Sequence, residues 1–380
     1  MSRLIRLFLL LSLSFAFLPA QAAPQLVPAA PKIAAKGYIL LDYHSGYVLA
    51  QENADERMEP ASLTKLMTAY AVFYELRQGH IKLSDSVRVS EKAWRTPGSR
   101  MFIEVGSRVP VQQLLKGLII QSGNDAAVAL AEYVAGSEDA FVALMNEHAH
   151  NLGLTGTHFA NATGLPHPNH YSTPHDLARL AAALIREFPQ HYPWYSTKKF
   201  TYNNITQYNR NKLLWRDDRV DGLKTGHTDS AGYCLTSSAK HGDMRLIAVV
   251  MGTASENARA RESEKLLSYG FRFFETHKLY AADKALKTMR IWKGATDSLA
   301  LGLKKPLYVT VPRGRYDSLN ASLTVENSII APAHKGQQFG TVNVQLGEDT
   351  LAKRPLVALQ DVREGGLWQR MVDNVMLLFQ

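Results

Sequence analysis

The sequence predicts a mixed α/β (α+β) domain, then a small all-β domain, then a C-terminal amphipathic helix. Three observations predict this. Residues from about 37 to 276 mix strand-like apolar runs with long stretches of helical periodicity. Beyond about Tyr280 the texture changes to short alternating segments split by Gly, Pro and Asn. The last stretch, "GGLWQRMVDNVMLLFQ", repeats its apolar residues at helical spacing.

The first 22 residues stand apart from this plan. Arg3 and Arg6 give a basic start, Leu7 to Leu18 an apolar run, and Ala20-Gln21-Ala22 a small-x-small cleavage signal. The run is shorter than the ~20 residues that span a bilayer. A signal peptide at 1–22, cut after Ala22, is therefore expected, and with it export. Cys234 is the only cysteine, which excludes an intrachain disulfide and a Cys-ligated zinc site. The formal charge of +9, or +7 once Arg3 and Arg6 are removed, suits attraction to anionic lipid or an anionic polymer. Nucleic acid is not the expected partner: the basic residues are dispersed and no nucleic-acid motif is present.

Residues 23–34, with Pro24, Pro28 and Pro31, read as a linker. "GYILLDYHSGYVLAQ" follows, two apolar runs around Asp42-Tyr43-His44-Ser45-Gly46, a hairpin signal with a loop longer than the tightest turns. From Pro60 to about Arg77 the pattern is helical, with Leu63, Leu66, Met67, Tyr70, Ala71 and Tyr74 on one side. "VQQLLKGLIIQSGNDAAVALAEYVAG" reads as two apolar helical segments interrupted at Ser122-Gly123-Asn124. "STPHDLARLAAALI" has Thr173 as N-cap, Pro174 at the first helical position and Asp176 in the first turn. "GYCLTSSA" and "MRLIAVVMG" read as two neighbouring strands, and a helix is expected from about Ala258 to Thr276. In the terminal helix Leu367, Trp368, Met371, Val372, Val375, Met376, Leu378 and Phe379 share a side opposite Gln369, Arg370, Asp373 and Asn374. At ~15 residues it suits lying in a membrane interface, with packing on its own domain as the alternative.

Ser62 and Lys65 in "EPASLTKLMTAY" are three residues apart where that first helix begins. The spacing puts them on one side, within reach of each other, and a helix N-terminus favours charge developing at an attacked carbonyl. A serine hydroxyl needs a nearby base to act as a nucleophile. Lys65 serves if burial and a neighbouring Lys224 favour its neutral form. The pair alone decides nothing, because Ser196 with Lys199 and Ser237 with Lys240 repeat the spacing. Ser122-Gly123-Asn124 is an S-x-N that also recurs, and Lys224-Thr225-Gly226 is the only K-T-G. The order carries the weight: S-x-x-K opening a helix, S-G-N between helices, K-T-G leading into a strand. Serine penicillin-binding proteins and β-lactamases have this trio.

From about Gly37 to its end the chain closely resembles the D-alanyl-D-alanine carboxypeptidases among the low-molecular-mass penicillin-binding proteins. The resemblance also covers "IIQSGNDA", "NRNKLLW", "DGLKTGHTDSAGYC" and "ESEKLLSYGFRFFET". It implies a penicillin-binding/β-lactamase-like fold, an antiparallel sheet flanked by helices, as a catalytic domain over 35–281. An all-β domain at 282–364 and a membrane-anchoring helix at 365–380 complete the expected plan. Ser62 would attack the bond between the two terminal D-alanines of a peptidoglycan stem pentapeptide, with Lys65 as base and Ser122 relaying the proton to the departing amine. Asn124 would bind the substrate's peptide amide, Lys224 and Thr225 its carboxylate, and Gly226 would let its backbone lie against the strand. The resemblance also assigns the oxyanion to the N–H groups of Ser62 and His227, and places Arg210 and Arg259 near the carboxylate. It implies inhibition by β-lactams, no cofactor, and the periplasmic face of the inner membrane.

Other groups offer less. His148 and His150 face different directions on a helix, His167, His170 and His175 surround a Pro-rich turn, and no H-E-x-x-H occurs, so no metal site is expected. Cys234 reads as a small core residue. A β-lactamase is disfavoured by Gly123, where its class A motif has Asp, and by the β-domain and tail. A D,D-endopeptidase with the same trio remains an alternative, and so does a peptidoglycan scaffold that captures peptides without turnover.

Overall fold

The computed structural model describes residues 27–378. The expected signal peptide, the first residues of the linker and Phe379 lie outside the described residues.

The hydrophobic runs at the two ends of the first domain meet in one five-stranded antiparallel sheet. Its order is Val48–Glu52, Gly37–Asp42, Met244–Thr253, Gly232–His241, Val220–Thr228. Met244–Thr253 reads as a nearly unbroken apolar run because both of its faces are covered. Ile247, Val249 and Met251 face a core shared with helices Lys65–Gln78, Asn124–Ala135 and Pro174–Glu187. Leu246, Ala248 and Val250 face the other way, against Leu266 and Leu267 of helix Glu256–Phe273. Val220–Thr228, which carries K-T-G, is an edge strand of this sheet.

Local signals act as the sequence indicates. Asp42 Oδ1 accepts from the N–H groups of His44 and Ser45 and from Ser45 Oγ, which shapes the hairpin loop. Thr173 caps its helix by accepting from Asp176 N–H at 3.0 Å. The helix expected to reach Thr276 ends at Phe273 instead. Phe274–Tyr280 is a strand paired with Leu307–Pro312, its first residues alternating buried and half-buried. The β-rich unit thus takes up the chain at Phe274, ahead of the expected 281/282 boundary. Here Thr276 Oγ1 donates to buried Asp42 Oδ2 at 2.8 Å, tying this strand to the first domain.

Six further strands of the β-rich unit form one sheet with its own core, including Ile291, Leu299, Val342 and Leu356. Helix Leu367–Leu377 docks on this unit through its polar side: Asp373 is 5% exposed and accepts from Lys293 N–H and from Arg290. Its apolar side faces outward, with Leu367 75% and Trp368 78% exposed. Among the described residues no helix is long and apolar enough to cross a membrane.

Candidate active site

Ala61–Thr64 forms one tight 3₁₀ turn that runs into helix Lys65–Gln78. Buried Leu63, Leu66 and Met67 fix the turn in the core. Gly164, at φ +85°, touches it from outside: a β-carbon there would lie 1.8 Å from Ala61 O, so only glycine permits the approach. Ser62 is left half-buried at the cleft, with Lys65 directly beneath it at 1% exposure.

Lys65 Nζ has three oxygen neighbours: Ser62 Oγ at 2.9 Å, Asn124 Oδ1 at 2.6 Å and Thr163 O at 2.6 Å. Asn124 Nδ2 donates to Pro97 O at 2.6 Å, which fixes its oxygen toward the lysine. Burial, and then the positive charge of Arg210, push Lys65 down to about 7, against the opposing pull of Asp125. A neutral amine has two N–H bonds and one lone pair. The amide and carbonyl oxygens can only accept, so the lone pair is left for the one neighbour that can donate, Ser62 Oγ–H.

Ser122 ends the π-turn Gly117–Gln121 in a left-handed conformation, φ +68°, and its side chain faces the cleft. Gly123 follows where a β-carbon would sit 2.8 Å from Asp125 Oδ1. Asp125 is fully buried and accepts from Met101 and Phe102 N–H at 3.0 and 2.9 Å, holding the 97–103 loop that forms one wall.

The opposite wall is the edge strand. Lys224 and Thr225 are 3% and 4% exposed, and Lys224 Nζ donates to Thr225 O at 2.8 Å. Burial, reinforced by Lys65, Arg210 and Arg259, holds Lys224 well below the usual lysine range. A β-carbon on Gly226 would lie 3.0 Å from Pro60 O, so the strand's approach to the nucleophile turn itself favours glycine there. Arg259 is 4% exposed and donates to Gly226 O at 3.2 Å, while Arg210 is exposed at the cleft. His227 is exposed and its ring lies 4.0 Å from that of Tyr233.

All ten residues singled out in the sequence come together. A cleft of about 400 Å³ is lined by Ser62, Ser122, Asn124, Arg210, Thr225, Gly226, His227 and Arg259, with Lys65 and Lys224 packed behind it. Two details differ from the sequence reading. Asn124 has its amide engaged at both ends by Lys65 and Pro97, so it orients the base as well as facing the cleft. Arg210 also acts on Lys65, beside the mutual repulsion between Lys65 and Lys224.

Sequence reasoning missed the 161–165 turn, which supplies Thr163 O. Asn-x-Thr-Gly is turn chemistry, but only the fold brings it to Lys65. It also passed over His170, which is buried and held neutral by burial at about 4. Its Nδ1 accepts from Ala160 N–H, so Nε2 carries the proton and donates to Thr64 Oγ1 at 2.7 Å, inside the S-x-x-K turn.

A hydroxyl bonded to a buried lysine pushed down to about 7, beside a cationic wall and an open cleft, defines a serine hydrolase that works by acyl transfer. Comparison with known proteins gives the family. Residues 24–255 match the model described as D-alanyl-D-alanine carboxypeptidase, and residues 274–364 match that of the penicillin-binding protein 5 C-terminal domain. The chain is 46% identical over 387 residues to the D-alanyl-D-alanine carboxypeptidase DacA of Escherichia coli (strain K12), covering 98% of this chain and 96% of that protein. It is 47% identical to DacC of the same organism over 373 residues, covering 96% and 93%. The crystal structure of penicillin binding protein 5 from Haemophilus influenzae superposes with a TM-score of 0.85 at 42% identity, covering 89% of this chain and 100% of that one. The chain belongs to the D-alanyl-D-alanine carboxypeptidase family.

Proposed function

We propose that the chain removes the terminal D-alanine from peptidoglycan stem pentapeptides through an acyl-enzyme on Ser62. The observation that carries this is the geometry at Lys65, where two acceptors take the amine's protons and leave its lone pair to Ser62 Oγ.

Lys65 takes the hydroxyl proton as Ser62 Oγ bonds to the penultimate D-alanine carbonyl carbon, whose π electrons move onto the oxygen. The backbone N–H groups of Ser62 and His227 receive that oxyanion. On collapse the C–N bond breaks, and the proton passes from Lys65 through Ser122 to the leaving nitrogen. D-Alanine departs as a free amino acid. Water then attacks the ester, with Lys65 again taking a proton, and Ser62 is released. The substrate's terminal carboxylate is met by Thr225 and Arg210 at the cleft, with Arg259 adding positive charge behind them and the Lys224 amine beside Thr225. A β-lactam amide offers the same carbonyl but keeps its leaving nitrogen tethered, so it acylates Ser62 and stays.

This concentration of positive charge favours a free terminal carboxylate, and hence the carboxypeptidase over the endopeptidase reading. The domain plan supports work at a membrane surface. The β-rich unit holds the terminal helix by its polar side, and Trp368, Met371 and Val375 face outward, suited to the interface of the inner membrane on its periplasmic side.

The test uses residues 23–380 and a stem pentapeptide ending in D-Ala-D-Ala. D-Alanine release and a penicillin adduct by intact mass are expected, both lost in Ser62→Ala. An adduct without release would point to a cross-link substrate. Neither signal, from folded protein, would leave only the scaffold reading.

A further inference from the structure

The carbonyl that directs Lys65 belongs to a turn with no chemistry of its own, so something must hold that carbonyl in place. Asn161 does most of this. Its Oδ1 accepts from Thr163 N–H at 3.1 Å, Thr163 Oγ1 at 2.9 Å and Gly164 N–H at 2.7 Å, and its Nδ2 donates to Leu165 O at 2.9 Å. Leu165 N–H donates to Thr163 Oγ1 at 3.2 Å. Outside groups fasten the same turn to the protein. Ala162 N–H donates to Glu138 Oε1 at 3.1 Å, and Ala162 O accepts from Thr68 Oγ1 at 2.7 Å, one helical turn beyond Lys65. Ala162, Thr163 and Gly164 are buried, and Gly164 is pressed against Ala61 O. The Thr163 carbonyl therefore has one direction available, at Lys65 Nζ.

We propose that Asn161 is a positioning residue for acylation: by folding the 161–165 turn it aims Thr163 O at Lys65 and so directs the amine lone pair to Ser62. This rests on the acyl-enzyme reading and adds a residue outside the three motifs. If the carbonyl swings away, one Lys65 N–H loses its acceptor, and the amine can rotate so that its lone pair leaves Ser62.

The carbonyl also bears on how Lys65 titrates. An oxygen 2.6 Å from Nζ favours the ammonium. The ionisable groups around Lys65 are Arg210, Asp125 and the buried Lys224, with His170 neutral behind Thr64. None of these is altered by a change at Asn161. Loss of the carbonyl should thus lower the pKa of Lys65, and the acid limb of acylation should move to lower pH while the plateau falls.

The test measures the second-order rate of labelling by a fluorescent penicillin from pH 5 to 10, using residues 23–380. For Asn161→Ala the plateau should fall at least ~10-fold and the limb move down by about one unit. Asn161→Asp keeps the three acceptor contacts and should restore the plateau to within ~3-fold. Thr163→Val removes only the Thr163 hydroxyl contacts and should move both quantities in the same direction by less, which keeps the test open if Asn161→Ala does not fold. A wild-type plateau and limb in both Asn161→Ala and Thr163→Val, or a limb that moves up, overturns the proposal. So does an Asn161→Asp plateau as low as that of Asn161→Ala. The acyl-enzyme reading is judged separately: it fails only if the wild type does not label or Ser62→Ala still does.

Discussion

Lys65→Arg isolates the property on which the chemistry depends. An arginine in this place keeps a positive side chain with donors for Asn124 and Thr163, but it stays protonated at any working pH. The structure sets the size of the effect. A lysine in water, near 10.4, has about one amine in a thousand neutral at pH 7.4. At about 7 more than half are neutral, so the site enriches the base form by nearly 10³, or ~4 kcal/mol. Loss of a general base costs typically 10²–10⁴ in rate, and Lys65→Arg should slow penicillin acylation by at least ~10³. The assay is stopped-flow or quenched labelling over pH 5–10. Wild-type rates should rise tenfold per unit below about pH 7 and level off above it. The variant should stay low throughout. A wild-type limb near pH 10, or a variant within tenfold of wild type, would refute the reasoning. Stability follows the same titration. The folded pKa is depressed, so between about 7 and the unfolded value the unfolded chain binds more protons, and stability rises with pH across that window. Urea unfolding of Lys65→Met should show a flatter dependence there.

Three further outcomes test the surroundings. Arg210→Ala should raise KM for a pentapeptide with a free carboxylate by about 10-fold, yet change KM for its C-terminal amide little, as steady-state kinetics would reveal. Gly164→Ala adds a methyl where the gap to Ala61 O is 1.8 Å and φ is +85°. It should cost several kcal/mol, on the order of 3 or more, and cut labelling with it, read by thermal melts and adduct formation. Removing residues 366–380 should abolish sedimentation with vesicles of anionic phospholipid but leave hydrolysis of a soluble peptide unchanged; retained sedimentation would count against the interfacial helix.

Much of the fold was legible because local rules and tertiary packing agree. The Met244–Thr253 strand is apolar on both sides since both faces are covered, and Thr173-Pro174-Asp176 starts its helix as capping chemistry dictates. The helix expected to Thr276 runs three residues too far, over Phe274–Thr276, because "GFRFFET" is aromatic enough to continue a helix. Only the pairing of Phe274–Tyr280 with Leu307–Pro312, far along the chain, makes it a strand. The site divides along the same line. Ser62, Ser122 and Lys224 were found through motifs whose members are close in sequence. Thr163, Asn161 and His170 act on the nucleophile turn across about a hundred residues of chain, by a backbone carbonyl, a turn and a buried ring. A carbonyl has no residue-type signature, so no spacing rule could have found it.

The protonation state of Lys65 tests the central claim most directly. Lysine side-chain NMR on ¹⁵N,¹³C-labelled residues 23–380, with Lys65→Arg to assign the signal, would follow its titration between pH 5 and 11. A midpoint near 7 is expected, leaving the amine neutral and available to Ser62 at the pH where penicillin labelling reaches its plateau. A lysine still charged above pH 9, while labelling proceeds at full rate, would contradict it and send the search for the base elsewhere.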